Sequence, residues 1–346
     1  AKILRLEPGG GYTLDPSYFR FDEGGDSALG AKFLTLFGAP RLWGESVEQQ
    51  RFYDIAASVQ AALEDAMLGL AKRAKTLTGS FNLCLAGGVA LNCVANERLR
   101  LEAGFQELFI PPDPGDGGAA AGCALDLYYS MGGKRPQGYR MTPFLGKSFE
   151  IADDLAMLGR LGMKSEPLNL ERLVERLRRG EVIGWFRGRF ENGPRALGHR
   201  SLLADPNHPG ALAKLRRIKK REPFRPLALS IAEEGAKSVV EMNGHLPLGW
   251  RWMQNAVKLR QGALSALACG AHKDGTTRAQ MVSAGDEPLF HKLLLLYGQA
   301  SGVPALINTS MNAKGFPMAS TPTEALLLLA DAGLDALALE DWLVTK

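Results

Sequence analysis

Apolar positions change their period several times along the chain. From Ser46 to Thr78 they recur every three to four residues, with Ser46 placed to cap the start and Gly79 to end it, which predicts one long helix. Phe81 to Leu85 is then a short apolar run meeting Ala86-Gly87-Gly88, the pattern of a buried strand entering a glycine turn. Asn92 to Glu102 reads as helix and Glu107 to Ile110 as strand. The segment from Pro111 starts as a proline-rich loop and becomes an Ala/Gly-rich helix, whose small side chains let backbones approach closely. Residues 133–147 hold turn-formers and positive charge without periodicity, and read as a linker.

Beyond it the pattern predicts helices over Glu150–Leu161 and Leu168–Arg179, a strand over 181–188, an arginine-bearing loop, and a helix over Gly210–Lys220. A strand over Pro226–Ile231, a helix over Pro288–Ser301, a strand over 304–310 and a helix over Thr323–Ala332 follow. Strand, loop and helix alternation predicts α/β layering, divided into domains at 1–135 and 136–346. No internal repeat and no run of eighteen apolar residues occurs.

At 346 residues, 46% hydrophobic and 23% charged, the chain has enough apolar mass for two cores. Lys plus Arg is 41 against 37 for Asp plus Glu, so a net charge of +4 does not by itself call for a nucleic-acid partner. Aromatics are 8% and form no stacking platform among the basic groups, which also speaks against RNA. Cys84, Cys93, Cys123 and Cys269 lack CxxC or Cys/His metal spacing, so we expect reduced, buried thiols in a cytoplasmic protein. The amino terminus has no basic-then-apolar leader plan, and its missing initiator Met leads us to expect a piece of a longer protein.

Local clustering changes the picture. Arg187, Arg189, Arg195 and Arg200 sit among Gly, Pro and Asn, which argues for a loop presenting guanidinium groups in fixed positions. Lys219, Lys220, Arg221 and Arg225 form a second group, His272, Lys273 and Arg278 a third, and Lys314 follows Asn308-Thr309-Ser310-Met311-Asn312. A single charged block is usually a solvated face. Four blocks mixed with hydroxyl and amide side chains predict a concave polyanion site, most simply for a nucleoside triphosphate, with Asn308, Ser310 and Asn312 as directional partners. In the first half, Gly87-Gly88 precedes a helix and suits phosphate, or is a packing turn; Asp116 between glycines suits a divalent metal, or caps a helix.

The segments GGVALNCVAN, PPDPGDGGAAAG, FENGPRALGHRSLLADP, KKREPFRPLA, HKDGTTRAQMV and NTSMNAKGFPMASTPTEAL, in this order, resemble the carbamoyltransferase family of the NodU/CmcH type, which acts on nodulation factors and antibiotics. The resemblance spans nearly the whole chain. It implies the second half of an actin/sugar-kinase-like domain followed by a YrdC-like α/β domain with a twisted mixed sheet. It also implies that the YrdC-like part makes carbamoyl-adenylate from carbamoyl phosphate and ATP with Mg²⁺, and that a second domain, holding Fe²⁺ or a similar metal, passes the carbamoyl group to a hydroxyl of a small-molecule acceptor. By the same resemblance Asp116 matches a metal ligand, and Gly87, Gly88, Val89 and Asn92 match a nucleotide-facing loop. Arg195, Arg200, Lys219, Arg225, His272, Arg278, Ser310 and Asn312 match the lining of the carbamoyl phosphate and ATP site, with Lys219 or Lys220 pointing inward. The paired histidines that would complete the metal site have no counterpart, since no histidine precedes His199. We therefore expect an incomplete metal site, and a half-domain surface that a homodimer could cover.

Overall fold

The protein is described from a computed structural model, over residues 2–21, 28–42, 44–138, 140–220, 222, 224–242 and 244–346. Its contacts divide it into two compact units, residues 1–83 with 94–108, and residues 84–93 with 109–346.

In the smaller unit, β1 (Leu4–Leu6) and β2 (Tyr12–Leu14) pair antiparallel, and a short helix α1 (Ala31–Phe37) precedes the long helix α2 (Gln50–Thr78). Gly79 ends α2 in the left-handed region at φ 64°, as a C-cap glycine does. The start differs from expectation: Ser46 Oγ accepts from Glu48 N at 3.0 Å in a local turn, and the helix begins four residues later than that serine. Strand β3 (Asn82–Cys84) pairs with β4 (Glu107–Phe109), with helix α3 (Cys93–Glu102) between them in sequence. The expectation of a buried strand here is corrected, because Asn82 and Cys84 are exposed in a ladder of two strands. Cys84 and Cys123 are exposed free thiols rather than buried ones, and Cys93 and Cys269 are half-buried.

The larger unit opens with helix α4 (Asp116–Ser130) and α5 (Ala152–Met157), and continues through β5 (Lys164–Pro167), α6 (Leu170–Arg178), β6 (Ile183–Phe186) and β7 (Arg200–Ala204). Then come α7 (Pro209–Lys219), β8 (Ala228–Ala232), α8 (Ala236–Val239), β9 (Ala256–Lys258), β10 (Thr276–Val282), α9 (Pro288–Ser301), β11 (Ala305–Ser310), α10 (Pro322–Asp331), β12 (Ala336–Leu339) and β13 (Trp342–Thr345). Proline at the first turn starts α7, α9 and α10, and Thr321 with Glu324 forms a reciprocal capping box on α10.

Among the described residues one mixed sheet of nine strands runs β5-β13-β12-β6-β7-β11-β8-β10-β9, with β12–β6 and β8–β10 parallel. Both faces are covered. On one, Leu202, Leu229, Ile231, Met281 and Ile307 pack in a cluster with Ala211, Leu215 and Ile218 of α7 and Leu326 and Leu329 of α10. On the other, Ile183, Trp185, Leu203, Val282 and Leu306 pack with Leu173 and Leu177 of α6 and Phe290, Leu293 and Leu294 of α9. Each fully buried Leu, Ile or Phe stabilises by about 1.5–3 kcal/mol, which is what fixes the register. The predicted arginine loop is thus shorter than expected. Five of its residues, 200–204, are β7, buried throughout, because Leu202 and Leu203 feed opposite cores.

Candidate active site

Strand register decides which polar side chains can meet. Residues two apart on a strand share a face, and neighbouring strands lie about 4.8 Å apart. Asn308 of β11 pairs with Ala228 of β8, and Ala279 of β10 pairs with Leu229, which sets Arg278 beside Ala228. Asn308 and Arg278 therefore stand in one row across three strands. Ser230, Gln280 and Ser310 share that face, the same one that carries Leu306, opposite Ser230, and Val282 further along.

This polar end of the face is closely bonded. Asn308 Nδ2 donates to Ser230 Oγ at 2.9 Å, Gln280 Oε1 at 3.1 Å and Ala196 O at 3.2 Å; Ser230 Oγ donates to Gln280 Oε1 at 2.7 Å. Gln280 Nε2 donates to Leu197 O at 2.6 Å, so the loop before β7 is tied down on the sheet. Asn308 Oδ1 is buried and has no partner. At the edge of the same end, Lys219 Nζ donates to Ser310 O at 2.7 Å, Ser310 Oγ at 2.9 Å, Asn312 O at 2.9 Å and Asn312 Oδ1. Lys219 is the inward-facing lysine. Lys220 is exposed with φ 41°, past the end of α7.

The arginine loop is held chiefly by a carboxylate that sequence reasoning did not single out. Glu191, 3% exposed, accepts through Oε1 from Leu197 N, His199 N and Arg200 N at 2.8, 2.9 and 3.0 Å. Arg195 stands between that anchor and the tie to Ala196. Its Nη2 donates to Leu91 O at 3.2 Å, its Nε is buried without a partner, and burial lowers its pKa. Burial, against the larger opposing pull of Asp274 and with a lesser push from the Arg278 charge, holds the His272 imidazole below its ordinary pKa.

Other expected residues lie elsewhere. Arg200 is fully buried and alternates with Ser201, so it faces the opposite side of the sheet from Asn308 and Arg278. Its guanidinium lies 3.5 Å over the Phe186 ring and donates to Arg187 O at 2.6 Å and to His199 O and Gly188 O at 3.1 Å. That corrects its placement among the site's lining: it bonds the chain to itself. Arg187 donates to Asp341 Oδ1 at 3.0 Å, and Arg189 to Gly146 O and Leu145 O at 2.8 and 2.7 Å, so these too staple the loop. Arg225 is exposed and pairs with Glu222 at 3.5 Å; Lys314 pairs with the same glutamate at 3.7 Å. Neither has a recorded bond to the Ser310, Asn308 and Arg278 group. Arg221 lies outside the described residues.

Gly87 and Asp116 line a cavity of about 460 Å³, with Pro111, Asp113 and Asn192. Gly87, at φ 99°, donates to Pro114 O at 2.7 Å; Gly88 and Val89 enter a single 3₁₀ turn that ends at Asn92 rather than opening an α-helix. The two glycines after Asp116 have a steric reason. A Cβ on Gly117 would stand 2.3 Å from Asp113 Oδ2, and one on Gly118 1.9 Å from Asp113 O. Asp113, which accepts from Asn192 Nδ2 at 3.4 Å, has its pKa raised by burial and by the Asp116 charge. Among the described residues no three His, Cys, Asp or Glu side chains gather as metal ligands, so Asp116 does not fit a complete metal site here.

Two family models match the chain: one described as carbamoyltransferase C-terminus over residues 174–346, and one described as carbamoyltransferase N-terminus over residues 1–125. The Synechocystis protein sll1178 is 34% identical over 99% of this chain and 60% of its own length. Nodulation protein NolO of Bradyrhizobium diazoefficiens is 33% identical over 86% of this chain and 55% of its own. The 3'-hydroxymethylcephem-O-carbamoyltransferase of Streptomyces clavuligerus is 30% identical over 79% of this chain and 50% of its own. The chain thus spans about half the length of the curated relatives it matches.

Proposed function

The chain belongs to the carbamoyltransferase family, and from that premise we propose that its larger unit forms carbamoyl-adenylate from carbamoyl phosphate and ATP, for transfer of the carbamoyl group to a hydroxyl of a small-molecule acceptor. The observation that carries the reading is the polar end of one sheet face, where Asn308 and Arg278 share a row and Lys219 closes the edge through Ser310 and Asn312. In this reading the unit is YrdC-like and the ATP arrives with Mg²⁺.

The chemistry suits that surface. Two polyanions held side by side repel by about 4 kcal/mol for each pair of unit charges at about 4 Å and an effective dielectric of about 20. Arg278 and Arg195 offset that repulsion and steady charge on the departing pyrophosphate, which is catalysis by position and charge without a protein nucleophile. Arg195 is suited to the task because desolvation has already been met by folding, with the loop fixed through Glu191. Asn308 Oδ1, buried and without a donor, is matched to a group that carries N–H, and the carbamoyl amide supplies one. Asp116 would belong to the transfer step, where a divalent metal would need further ligands beside it.

The test is pyrophosphate exchange into ATP that depends on carbamoyl phosphate. Arg278→Ala and Arg195→Ala are each expected to lower it by about 10²–10³-fold while the thermal midpoint moves little. Exchange at the unsubstituted rate in both variants rejects the site.

A further inference from the structure

The loop entering β10 carries three side chains bonded in series. Thr276 Oγ1 donates to Asp274 Oδ1 at 2.7 Å, and the same carboxylate oxygen accepts from Thr276 N at 2.9 Å. His272 Nδ1 lies 2.9 Å from Thr276 Oγ1. A hydroxyl has a single proton. With it committed to the carboxylate, Thr276 meets the imidazole only as an acceptor, so Nδ1 holds the ring proton and Nε2 holds the lone pair. The backbone keeps the three in place: His272 N donates to Thr276 O at 2.7 Å and Gly275 N to His272 O at 3.0 Å, with Gly275 at φ 75°. Nε2 has no hydrogen-bond partner among the described residues.

The surroundings keep that ring neutral. Burial is the main cause, and together with the positive charge of Arg278, two residues beyond Thr276 on the same strand face, it outweighs Asp274. From β9, Lys258 Nζ donates to the Asp274 carbonyl, and Lys273 beside His272 is exposed. Asp274 itself stays ionised: burial would raise its pKa, but the two Thr276 bonds, His272 and Lys258 bring it below the usual value.

We infer that His272 is the proton acceptor of this site, its Nε2 taking a proton from the water that cleaves carbamoyl phosphate, with Thr276 and Asp274 as the positioning residues that hold its tautomer. The inference rests on the carbamoyl-phosphate reading above. In that step the water oxygen bonds to phosphorus, the P–O bond to the carbamoyl group breaks, and carbamate leaves with the electron pair. One water proton passes to Nε2 and the other stays on hydrogen phosphate. The carbamate oxygen then bonds to the α-phosphorus of ATP as the bond to pyrophosphate breaks.

Two measurements test it. With ¹⁵N-labelled histidine, the His272 ring is expected as the Nδ1–H tautomer at neutral pH, to lose that preference in Thr276→Val and to regain it in Thr276→Ser. An Nε2–H or doubly protonated ring in the unsubstituted protein overturns the relay. In exchange assays His272→Gln is expected to lower the rate by about 10²-fold or more. Thr276→Val should lower it by about 10-fold and move the acidic limb of the pH–rate profile, with Thr276→Ser restoring both. Robust exchange in the unsubstituted protein with His272→Gln within twofold of it overturns the proton-acceptor role while the proposed function stands. No carbamoyl-phosphate-dependent exchange in the unsubstituted protein overturns the proposed function and the role together, and the NMR arm still reads the tautomer.

Discussion

One face of the large sheet has two ends, along the order of its strands, that are equally dry and chemically opposite. On β6 and β7 Ile183, Trp185 and Leu203 lie at 0% exposure beneath α6 and α9; on β11, β8 and β10 Asn308, Ser230 and Gln280 lie at 1, 0 and 3%. Burial therefore does not separate core from site here. The apolar end gains from every square ångström removed from water, whereas each polar group at the other end gains only if it finds a partner. The polar end nearly satisfies itself, and the acceptor it leaves over, Asn308 Oδ1, faces the problem that a ligand with an N–H would solve.

The largest effect expected on this contrast comes from the apolar end. Trp185→Ala removes a fully buried indole packed 5.9 Å from the Phe290 ring, and should destabilise the fold by about 3–5 kcal/mol, read as a shift of the urea midpoint. Exchange per folded molecule should hardly change. A shift under about 1 kcal/mol would mean that α6 and α9 do not depend on this contact.

Next is Arg200→Met, which sharpens the contrast by testing the opposite face. It removes a guanidinium whose pKa burial has lowered to about 10 and leaves the carbonyls of Arg187, Gly188 and His199 short of a donor. A loss of about 1.5–3 kcal/mol in stability is expected, with exchange per folded molecule kept within a few-fold. Loss of exchange on an intact fold would return Arg200 to the substrate site.

These two residues also show where the chain could be read in advance and where it could not. Helix α9, bounded by Pro288 and Gly302, and β11 lie within a residue of their expected limits, because apolar period and turn residues agree there. Strand β10 escaped notice. Its polar positions Thr276, Arg278 and Gln280 alternate with Thr277, Ala279 and Met281, and a buried polar face hides the usual contrast of apolar inside and polar outside. Arg195, Arg200 and Arg278 are equal as sequence signals. Only register places Arg200 on the far face, and only the tertiary fold brings Lys219 to Ser310 and Asn312. Glu191 gave no signal beyond its place among turn-formers. Gln280 could have been found as the residue two after Arg278, on the same face.

A smaller effect tests the polar end itself. Asn308→Leu matches the apolar end in character but strips partners from Ser230 Oγ, Gln280 Oε1 and Ala196 O. The expected loss is about 1–2 kcal/mol in thermal unfolding, together with reduced carbamoyl-phosphate-dependent exchange as the loop before β7 loosens. A gain in stability would show that the polar end is merely an imperfect core.

The smallest expected effect is pH-dependent, and it probes what fastens the loop over the polar end. His199 is 9% exposed, stacks on Phe144 at 3.7 Å between ring centroids, meets Glu287 Oε2 through Nε2 at 2.7 Å, and bonds Arg189 O through Nδ1. Two acceptors on two ring nitrogens require two N–H donors, the imidazolium form. Burial alone would lower its pKa, but Glu287, by hydrogen bond and by charge, and then Glu191 raise it above the ordinary histidine value. A base with a raised folded pKa adds stability that is complete below the unfolded pKa and disappears as pH rises through the folded one. His199→Gln should therefore be less stable than the unsubstituted protein by about 1 kcal/mol near pH 6, with the gap closing as pH rises past the folded value. Unfolding midpoints measured across that range check it. A gap that widens toward alkaline pH would mean the ring is held neutral, and that Glu191 alone fastens the loop.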